Sequence, residues 1–230
     1  MVFAAGLGTR MRPLTETTPK PLVNVGGQAL LDHVLDQLAA AGVKKAVVNV
    51  HHLGDQIIAH LATRRSPRIV ISDERVKLLD QGGGIKKALP TLGTAPFFIC
   101  NTDAFWREEG ALNIQALARF FDPDRMDAAL LLAETESSLG VDWGGDFEVD
   151  AMSRLSQPSG PRRYVYTGVG ILSPRLFESV AEEVFKLSPF FFEAARRGRL
   201  FGLPTRGLWM HVGSIAAIEE AERALRATAF

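Results

Sequence analysis

The chain has 230 residues, 47% of them hydrophobic, and its 26 basic side chains balance its 26 acidic ones. This is ordinary globular composition, and zero net charge argues against a general nucleic-acid or polyanion binder, which would carry a basic excess. The single cysteine, Cys100, excludes an internal disulfide. With no signal-peptide pattern and no apolar run of about 18 residues, the sequence predicts a cytoplasmic protein that does not enter a membrane.

Short apolar runs alternate with longer amphipathic segments over the first 134 residues. The predicted strands are Val2–Ala5, Ala46–Val50, Ile69–Ile71, Pro96–Cys100 and Ala128–Ala133. The predicted helices are Ala29–Ala41, Leu53–Ala62 and Gly84–Leu92, the last entered through three glycines. This alternation predicts an α/β fold, Rossmann-like, with a mixed but mainly parallel sheet and helices on both faces.

The pattern changes after Glu134. Residues 137–161 are rich in Gly, Asp and Ser and hold few periodic apolar positions. Further elements are predicted as strands at Phe147–Val149 and Tyr164–Leu172 and as helices at Pro189–Arg197 and Ile215–Ala227. Because no linker or repeat separates the two regions, we predict a single domain over 1–230, with one part to about residue 134 and another from about 135.

A glycine-containing loop follows the first predicted strand. Gly6 and Gly8 let backbone N–H groups approach phosphates closely, and Arg10 and Arg12 place cations beside them. However, Met11 stands where a dinucleotide fingerprint needs a third glycine, and the Gly-Lys-Ser/Thr of a Walker loop is absent. The loop therefore indicates phosphate binding by neither common pattern, and a glycine turn with solvated arginines is an equal alternative.

Lys20 stands between Pro19 and Pro21, which fix the backbone on both sides of it. A rigidly mounted cation suits an anionic substrate, since less ordering entropy is lost on binding. Taken alone, these residues fit a proline-rich surface turn with a solvated lysine better.

Together, Ala4–Thr15 and Pro19–Leu22 resemble the signature of the sugar-phosphate nucleotidyltransferases, in which a glycine-rich loop, an arginine and a lysine between prolines surround a triphosphate. The resemblance implies a GT-A-like nucleotidyltransferase fold and catalytic roles for Arg10 and Lys20. It also implies nucleotide contacts from the loop residues Ala4, Ala5, Gly6, Gly8, Thr9 and Arg10.

Two later segments extend this resemblance. Asp80–Ile85 is similar to the family's nucleobase loop, where backbone groups of small residues hold the base, and this implies nucleotide contacts from Gln81, Gly82 and Gly83. Asp103 matches the family's metal-binding aspartate after a strand, although Thr102 replaces the usual glycine.

The second half resembles one branch of the family, the N-acetylmuramate 1-phosphate uridylyltransferases. The matching segments are Gly145–Phe147, Tyr166–Leu172, Phe185–Pro189 and Trp209–Ser214. The resemblance implies sugar-phosphate contacts from Asp146, Thr167, Gly168 and Lys186. On this basis the part to about residue 134 binds the nucleotide, and the part from about 135 binds the sugar phosphate.

Two departures from the family pattern affect charged positions. A Glu-Lys-Pro element is not evident; Ser156–Pro158 stands near its place, and Arg162 or Arg163 is the candidate replacement for its lysine. His211 stands where the family has a second metal-binding aspartate. The predicted metal ligands are therefore Asp103 and His211. The predicted ion is Mg²⁺, or else Mn²⁺ or Co²⁺, which imidazole suits better than it suits Mg²⁺. The alternatives are direct contact of a protonated His211 with a phosphate and packing of His211 beside Trp209.

Two adjacent histidines, His51 and His52, also invite a metal interpretation. Neighbouring residues on an extended segment point to opposite sides, so one site is not expected to use both. Packing within a loop is the favoured interpretation.

These residues predict transfer of a uridylyl group from UTP to a sugar 1-phosphate, above all N-acetylmuramate 1-phosphate, with release of pyrophosphate in cell-wall sugar recycling. One alternative is the same chemistry on mannose, glucose or heptose 1-phosphate with another nucleotide. The others are a non-catalytic nucleotide-sensing paralogue and a metal-dependent glycosyltransferase. The expected partners are small-molecule substrates rather than nucleic acid or membrane, and the oligomeric state is left open.

Overall fold

The computed structural model describes residues 1–157 and 159–227, so Pro158 of the Ser156–Pro158 segment lies outside the described residues. The strands are β1 Val2–Phe3, β2 Asn24–Val25, β3 Gln28–Ala29, β4 Lys45–Val50, β5 Arg68–Asp73, β6 Phe97–Asn101, β7 Ala104–Trp106, β8 Ala128–Glu134, β9 Glu148–Val149, β10 Leu155–Ser156, β11 Tyr164–Leu172, β12 Leu200–Pro204 and β13 Trp209–His211. The helices are α1 Leu14–Thr17, α2 Leu30–Ala40, α3 Gly54–Leu61, α4 Asp80–Leu92, α5 Asn113–Phe120, α6 Ser188–Arg196 and α7 Ile215–Ala227.

A seven-stranded sheet in the order β12-β8-β11-β6-β1-β4-β5 forms the centre of the molecule. All of its strands run in one direction except β11, which pairs antiparallel with both β6 and β8. The predicted fold class, a mixed and mainly parallel α/β sheet, is confirmed. Among the described residues, no helix is long and apolar enough to cross a membrane.

Hydrophobic cores lie on both faces of this sheet. Successive strand residues point to opposite faces, so Val48 enters one core and Val47 the other. The first core is covered by α2, α3 and α5, and the second by α4 and α6. Since burial of one large aliphatic side chain stabilises the fold by about 1.5–3 kcal/mol, these cores hold the sheet edge rigidly enough to carry a site.

Several element boundaries differ from the sequence predictions. β1 ends at Phe3 rather than Ala5, because the Ala4 N–H donates to the Asn49 side chain instead of a neighbouring strand. α4 begins at Asp80, so the three glycines lie inside its first turns and not in an entry loop. The sequence pattern did not predict α1, α5, β2, β3, β7, β10, β12 or β13, most of which have two to five residues. The strands β7, β12 and β13 pair with residues distant in sequence.

The topology brings the signature segments to one edge of the sheet. β1, β4 and β6 run parallel, so Ala4–Gly8, His51 and Asp103 follow their carboxyl ends on the same side. β11 passes beside β6 there, and its pairing with β8 is interrupted between Tyr166 and Gly170. Ligands of open α/β sheets bind outside the carboxyl ends of strands, so this edge is the place to look for a site.

Candidate functional site

Two adjoining cavities open at this edge. Among the described residues, the first cavity has a volume of about 310 Å³, and the residues that line it lie in the sequence from Phe3 to Asp103. The second, of about 340 Å³, is lined by Arg10, Asn101, Asp103, Ala104, Trp143, Tyr166, Thr167, Gly168, Trp209 and His211. Asn101 and Asp103 belong to both cavities, so the junction lies at the end of β6.

Lys20 and Asp103 meet at that junction. Lys20 Nζ lies 2.9 Å from Asp103 Oδ2, and the two side chains are 13% and 26% exposed. The lysine sits in a short 3₁₀ turn, Lys20–Leu22, in which Leu22 N–H donates to the Pro19 carbonyl. Burial alone would raise the pKa of Asp103, but His211 and Lys20 outweigh burial and hold that pKa below its usual range. The carboxylate is therefore ionised at every physiological pH.

His211 is the third group at the junction. β13 pairs with β7 so that His211 lies opposite Ala104, and its Nε2 is 3.7 Å from Asp103 Oδ2. Its Nδ1 is 3.2 Å from the Gly140 carbonyl oxygen, which can only accept, so Nδ1 carries the donating proton. Nε2 donates toward Asp103, and so lowers the pKa of Asp103, only in the doubly protonated ring; with the proton on Nδ1 alone, Nε2 presents a lone pair that a cation between it and the carboxylate would satisfy.

These donors fit a divalent ion that is held partly by substrate. Among the described residues, no group of three or more His, Cys, Asp or Glu side chains lies close enough to hold a metal. Mg²⁺ is commonly bound by one or two carboxylates together with water and substrate phosphates. Asp103 and His211 would supply two positions of such a site.

The glycine-rich loop packs against the lysine turn. Gly8 has φ +64°, and a side chain there would start 2.9 Å from Thr15 Cγ2 and 3.2 Å from Lys20 Cβ. Ala5 and Gly6 line the first cavity, whereas Gly8, Thr9 and Arg10 surround a smaller cavity of about 220 Å³ that also reaches Lys20 and Asp103. Arg10 is exposed and has no ion-pair partner among the described residues. Ala4 differs, since it is buried and its N–H is donated to Asn49 Oδ1.

The predicted glycine loop at the nucleobase end is a helix instead. Gln81 does line the first cavity, and its Nε2 donates to Asn101 Oδ1 at 3.0 Å. The N–H groups of Gly82 and Gly83, however, both donate to the Phe185 carbonyl, at 3.0 and 3.3 Å. A side chain on Gly83 would start 2.2 Å from the Glu183 carbonyl oxygen. These two glycines serve close packing of α4, and their N–H groups are already donated within the protein.

Glu74 is a cavity residue that the sequence analysis missed. It is 1% exposed, and its Oε1 accepts from Asn49 Nδ2 at 2.9 Å. Its Oε2 is also buried and has no hydrogen-bond partner among the described residues, although Glu74 lines the first cavity. Burial raises the pKa of this carboxyl, against the hydrogen bond from Asn49. Two features of the sequence could have indicated this residue. Asn49 is a polar residue within an apolar strand, and Glu74 is an acidic residue directly after a strand.

The residues expected to bind the sugar phosphate fall into three groups. Thr167 and Gly168 line the second cavity, and a side chain on Gly168 (φ +85°) would start 2.7 Å from Asn101 Cβ. Asp146 is internally engaged: its Oδ2 accepts from the Tyr166 N–H and its Oδ1 from Trp143 Nε1. Burial raises the pKa of Asp146, against these hydrogen bonds. Lys186 is exposed and, among the described residues, lines neither cavity.

The candidate replacements for the missing lysine also have partners within the protein. Arg163 pairs with Glu134 at 2.6 Å, and Arg162 Nη1 donates to the Gly145 carbonyl at 3.2 Å. Both lie at the base of the 139–163 segment that borders the second cavity.

The paired histidines pack within their loop, which confirms that interpretation. His51 Nδ1 contacts the Glu74 carbonyl oxygen at 2.6 Å, and His52 Nε2 contacts the Thr15 carbonyl oxygen at 2.8 Å. Their partners lie on different segments, so they do not form one metal site.

The chain is similar to known proteins over nearly its whole length. Residues 1–222 match the family model of MobA-like NTP transferase domains. An N-acetylmuramate alpha-1-phosphate uridylyltransferase of Caulobacter vibrioides is 47% identical over 231 residues, covering 98% of this chain and 96% of that protein. The protein of the same name from Neisseria meningitidis is 35% identical, covering 96% of each. A solved UDP-glucose pyrophosphorylase in complex with UDP-glucose superposes with a TM-score of 0.80 at 16% identity, covering 98% of this chain and 97% of that one, and so shows the shared fold.

Proposed function

This chain belongs to the family of MobA-like NTP transferase domains and is a sugar 1-phosphate nucleotidyltransferase, and we propose that it transfers a uridylyl group from UTP to N-acetylmuramate 1-phosphate. The observation that carries the proposal is the meeting of Lys20 and Asp103 at the junction of two cavities. A reaction between two phosphates needs a cation and a metal-binding carboxylate at such a junction.

We assign the nucleotide to the first cavity and the sugar phosphate to the second. This division follows the sequence expectation of a nucleotide part to about residue 134, except that Arg10, Asn101, Asp103 and Ala104 also reach the second cavity. The triphosphate lies along the Ala5–Arg10 loop, where backbone N–H groups and Arg10 hold the β- and γ-phosphates.

Glu74 gives the proposal a basis for choosing the base. Where a bound base reaches it, the Oε2 of this buried carboxylate would accept a hydrogen bond from a ring N–H, which uracil and guanine have and cytosine and adenine lack. A buried carboxylate facing the ring nitrogen of cytosine leaves two acceptors opposed, which strongly disfavours that base. Among the bases that Glu74 admits, the two relatives named above favour uracil.

The chemistry is an in-line displacement. An oxygen of the sugar 1-phosphate attacks the α-phosphorus of UTP, the bond from that phosphorus to the bridging oxygen breaks, and pyrophosphate leaves with the electron pair. The nucleophile is already an anion, so no general base is required. Lys20 neutralises the α-phosphate and the incoming phosphate at the junction, and catalysis comes from positioning and charge stabilisation.

Nucleotidyltransferases of this family generally use a divalent metal ion. We assign Mg²⁺ to Asp103 and His211, with Mn²⁺ or Co²⁺ as ions that the imidazole would favour. The ion supplies charge neutralisation on the triphosphate.

The test is pyrophosphate release by the purified chain with each of UTP, GTP, CTP and ATP against a panel of sugar 1-phosphates. We expect turnover with UTP and N-acetylmuramate 1-phosphate. Faster turnover with mannose, glucose or heptose 1-phosphate, or with GTP, would replace the substrate assignment. No pyrophosphate with any pair would favour a nucleotide-sensing role. Cytoplasmic location and a place in cell-wall sugar recycling stay predictions.

A further inference from the structure

The second cavity has an aromatic wall that the reaction chemistry leaves without a role. Trp143 lies on that wall, half-buried, in the segment between β8 and β11. Its ring meets the His211 ring at 5.4 Å between centroids and an interplanar angle of 88°. Across the cavity wall Trp209 is buried, and its indole N–H donates to the Thr167 carbonyl at 3.3 Å.

The backbone on both sides of Trp143 is fixed by close packing. Gly140 has φ +70°, and a side chain there would start 2.0 Å from the His211 carbonyl oxygen. Gly145 has φ +79°, and a side chain there would start 2.2 Å from the Arg162 carbonyl oxygen. These close approaches require glycine and anchor the segment against β13 and the start of β11.

The Trp143 side chain is fixed as well. Its Nε1 donates to Asp146 Oδ1 at 3.2 Å, and Asp146 Oδ2 is held by the Tyr166 N–H at 2.8 Å. The polar end of the indole therefore has a partner; the ring packs partly against the first hydrophobic core, and its remaining apolar surface lines the second cavity. Holding a large ring in place before a ligand arrives lowers the entropic cost of binding.

We propose that Trp143 is the platform on which the pyranose ring of the acceptor stacks, and that Asp146 is the residue that positions it. The inference rests on the proposed function, which puts the sugar phosphate in this cavity. One face of a pyranose ring carries C–H groups, and the negative face of an indole attracts them. If Lys20 holds the acceptor phosphate at the junction, the sugar extends into the second cavity, which Trp143 lines.

A nucleobase also stacks on aromatic rings. The first cavity, however, is the one that Glu74 lines, and Trp143 does not line it among the described residues. Whether a Trp143 substitution weakens binding of the acceptor or of the nucleotide therefore distinguishes a sugar from a base on this ring.

The kinetic test compares the wild type with Trp143→Ala and Trp143→Phe at saturating Mg²⁺. We expect Trp143→Ala to raise KM for N-acetylmuramate 1-phosphate by about tenfold or more, with KM for UTP within twofold, and Trp143→Phe to fall between. Calorimetric Mn²⁺ affinity, measured without sugar, should not change. A fall in Mn²⁺ affinity, or equal rises in both KM values, would show that Trp143 acts through His211 or on the base and would overturn the inference.

A second readout does not depend on turnover. Trp106 and Trp209 are 3% and 2% exposed, so Trp143 is the accessible one of the three tryptophans. Saturating N-acetylmuramate 1-phosphate should reduce acrylamide quenching of the wild-type fluorescence, whereas UTP alone should not. Unchanged quenching in an enzyme that turns over this acceptor overturns the platform. If the pyrophosphate-release panel instead identifies another sugar 1-phosphate as the acceptor, the substrate assignment fails. The acrylamide quenching is then measured with that sugar 1-phosphate, and it tests the role of Trp143 separately.

The positioning role of Asp146 is tested by a double-mutant cycle. Asp146→Ala should raise the acceptor KM nearly as much as Trp143→Ala, and the double variant should add little. Asp146→Asn keeps an oxygen for the indole N–H and should restore part of the affinity. Additive effects of the two alanine variants would refute positioning.

Discussion

The two cavities are built differently. In the first, polar side chains follow the ends of parallel strands and are tied to backbone: Ala4 N–H holds Asn49, and Asn49 holds Glu74. In the second, Trp143 lies on a segment that glycines anchor against strands distant in sequence, and the other aromatic rings of the wall come from β11 and β13. If the cavities hold the substrates as proposed, the nucleotide side depends on the sheet itself, whereas acceptor choice depends in part on the 139–163 segment.

Substitutions at the junction should affect the nucleotide and the acceptor alike, since both substrates need the junction. Asp103→Asn should reduce turnover about a thousandfold or more, because loss of the carboxylate charge removes several kcal/mol of stabilisation at little change in shape. Mg²⁺ titrations of activity measure the effect. Superimposable titration curves for the variant and the wild type would remove Asp103 as a ligand.

Lys20→Ala should lower kcat about 10²–10³-fold for every accepted pair of substrates, because its charge stabilises the phosphates of both. Lys44→Ala, at an exposed lysine outside the cavities described, is the matched control and should retain full activity. Circular dichroism should show the same fold in both. Activity of the Lys20 variant within twofold of the wild type would refute the assignment.

Glu74→Gln should change the choice of nucleotide and leave binding of the acceptor unchanged, and so distinguish the two cavities. Asn49 Nδ2 requires an acceptor, so the new amide would turn its oxygen to Asn49 and its NH₂ to the cavity. The ratio of kcat/KM for UTP to that for CTP should fall about tenfold or more, with the acceptor KM unchanged. Exposed Glu182→Gln is the control. An unchanged ratio would exclude Glu74 from base selection.

The same variant has a pH signature in stability. Burial raises the pKa of Glu74 in the folded chain, so between its ordinary and raised values the folded state binds more protons than the unfolded state. The free energy of unfolding of the wild type therefore falls as pH rises through that window. Glu74→Gln should remove this fall, and chemical denaturation from pH 4 to pH 8 measures it. Parallel curves would contradict the burial argument.

His211→Asp should lower the Mg²⁺ concentration needed for half-maximal activity about tenfold, because a carboxylate suits Mg²⁺ better than an imidazole. The Mn²⁺-to-Mg²⁺ activity ratio should fall with it. If neither quantity moves, His211 only packs between Trp209 and Trp143.

The smallest effect is expected at Lys186. Its exposed position predicts that Lys186→Ala changes the acceptor KM by less than twofold, against the role implied by the sequence resemblance. A rise of tenfold would show that the 178–187 segment reaches the second cavity when the acceptor binds.

Much of the fold and the junction could be predicted from the sequence. Strand alternation gave the sheet, and residues after strand ends, such as Asp103, meet because parallel strands end at one edge. Lys20 was identified through the family resemblance, because the prolines beside it taken alone fit a surface turn better. The helical position of Gly82 and Gly83 could not be predicted, since glycine runs are typical of loops. Only the packing against Phe185 shows why a helix needs glycine there.

The second cavity was harder to predict for a physical reason. β7 and β13 pair across about a hundred residues, and short runs of this kind have no local signature. Asp146 was found by resemblance, yet its hydrogen bonds to Trp143 and Tyr166 depend on where the 139–163 segment folds back. Trp143 itself stands among glycines and aspartates, where no periodicity singles it out.

The ion pair between Lys20 and Asp103 has a consequence for the order of events in a catalytic cycle. In the empty site each charge already has a partner, so the nucleotide with its metal must separate the pair before either residue can serve it. The affinity for the nucleotide is then the difference between new and old interactions, and is smaller than the contacts alone would give. When the nucleotide-sugar leaves, the pair forms again and favours release. If both residues act as proposed, we expect the resting ion pair to weaken product inhibition and the acceptor to bind after the nucleotide.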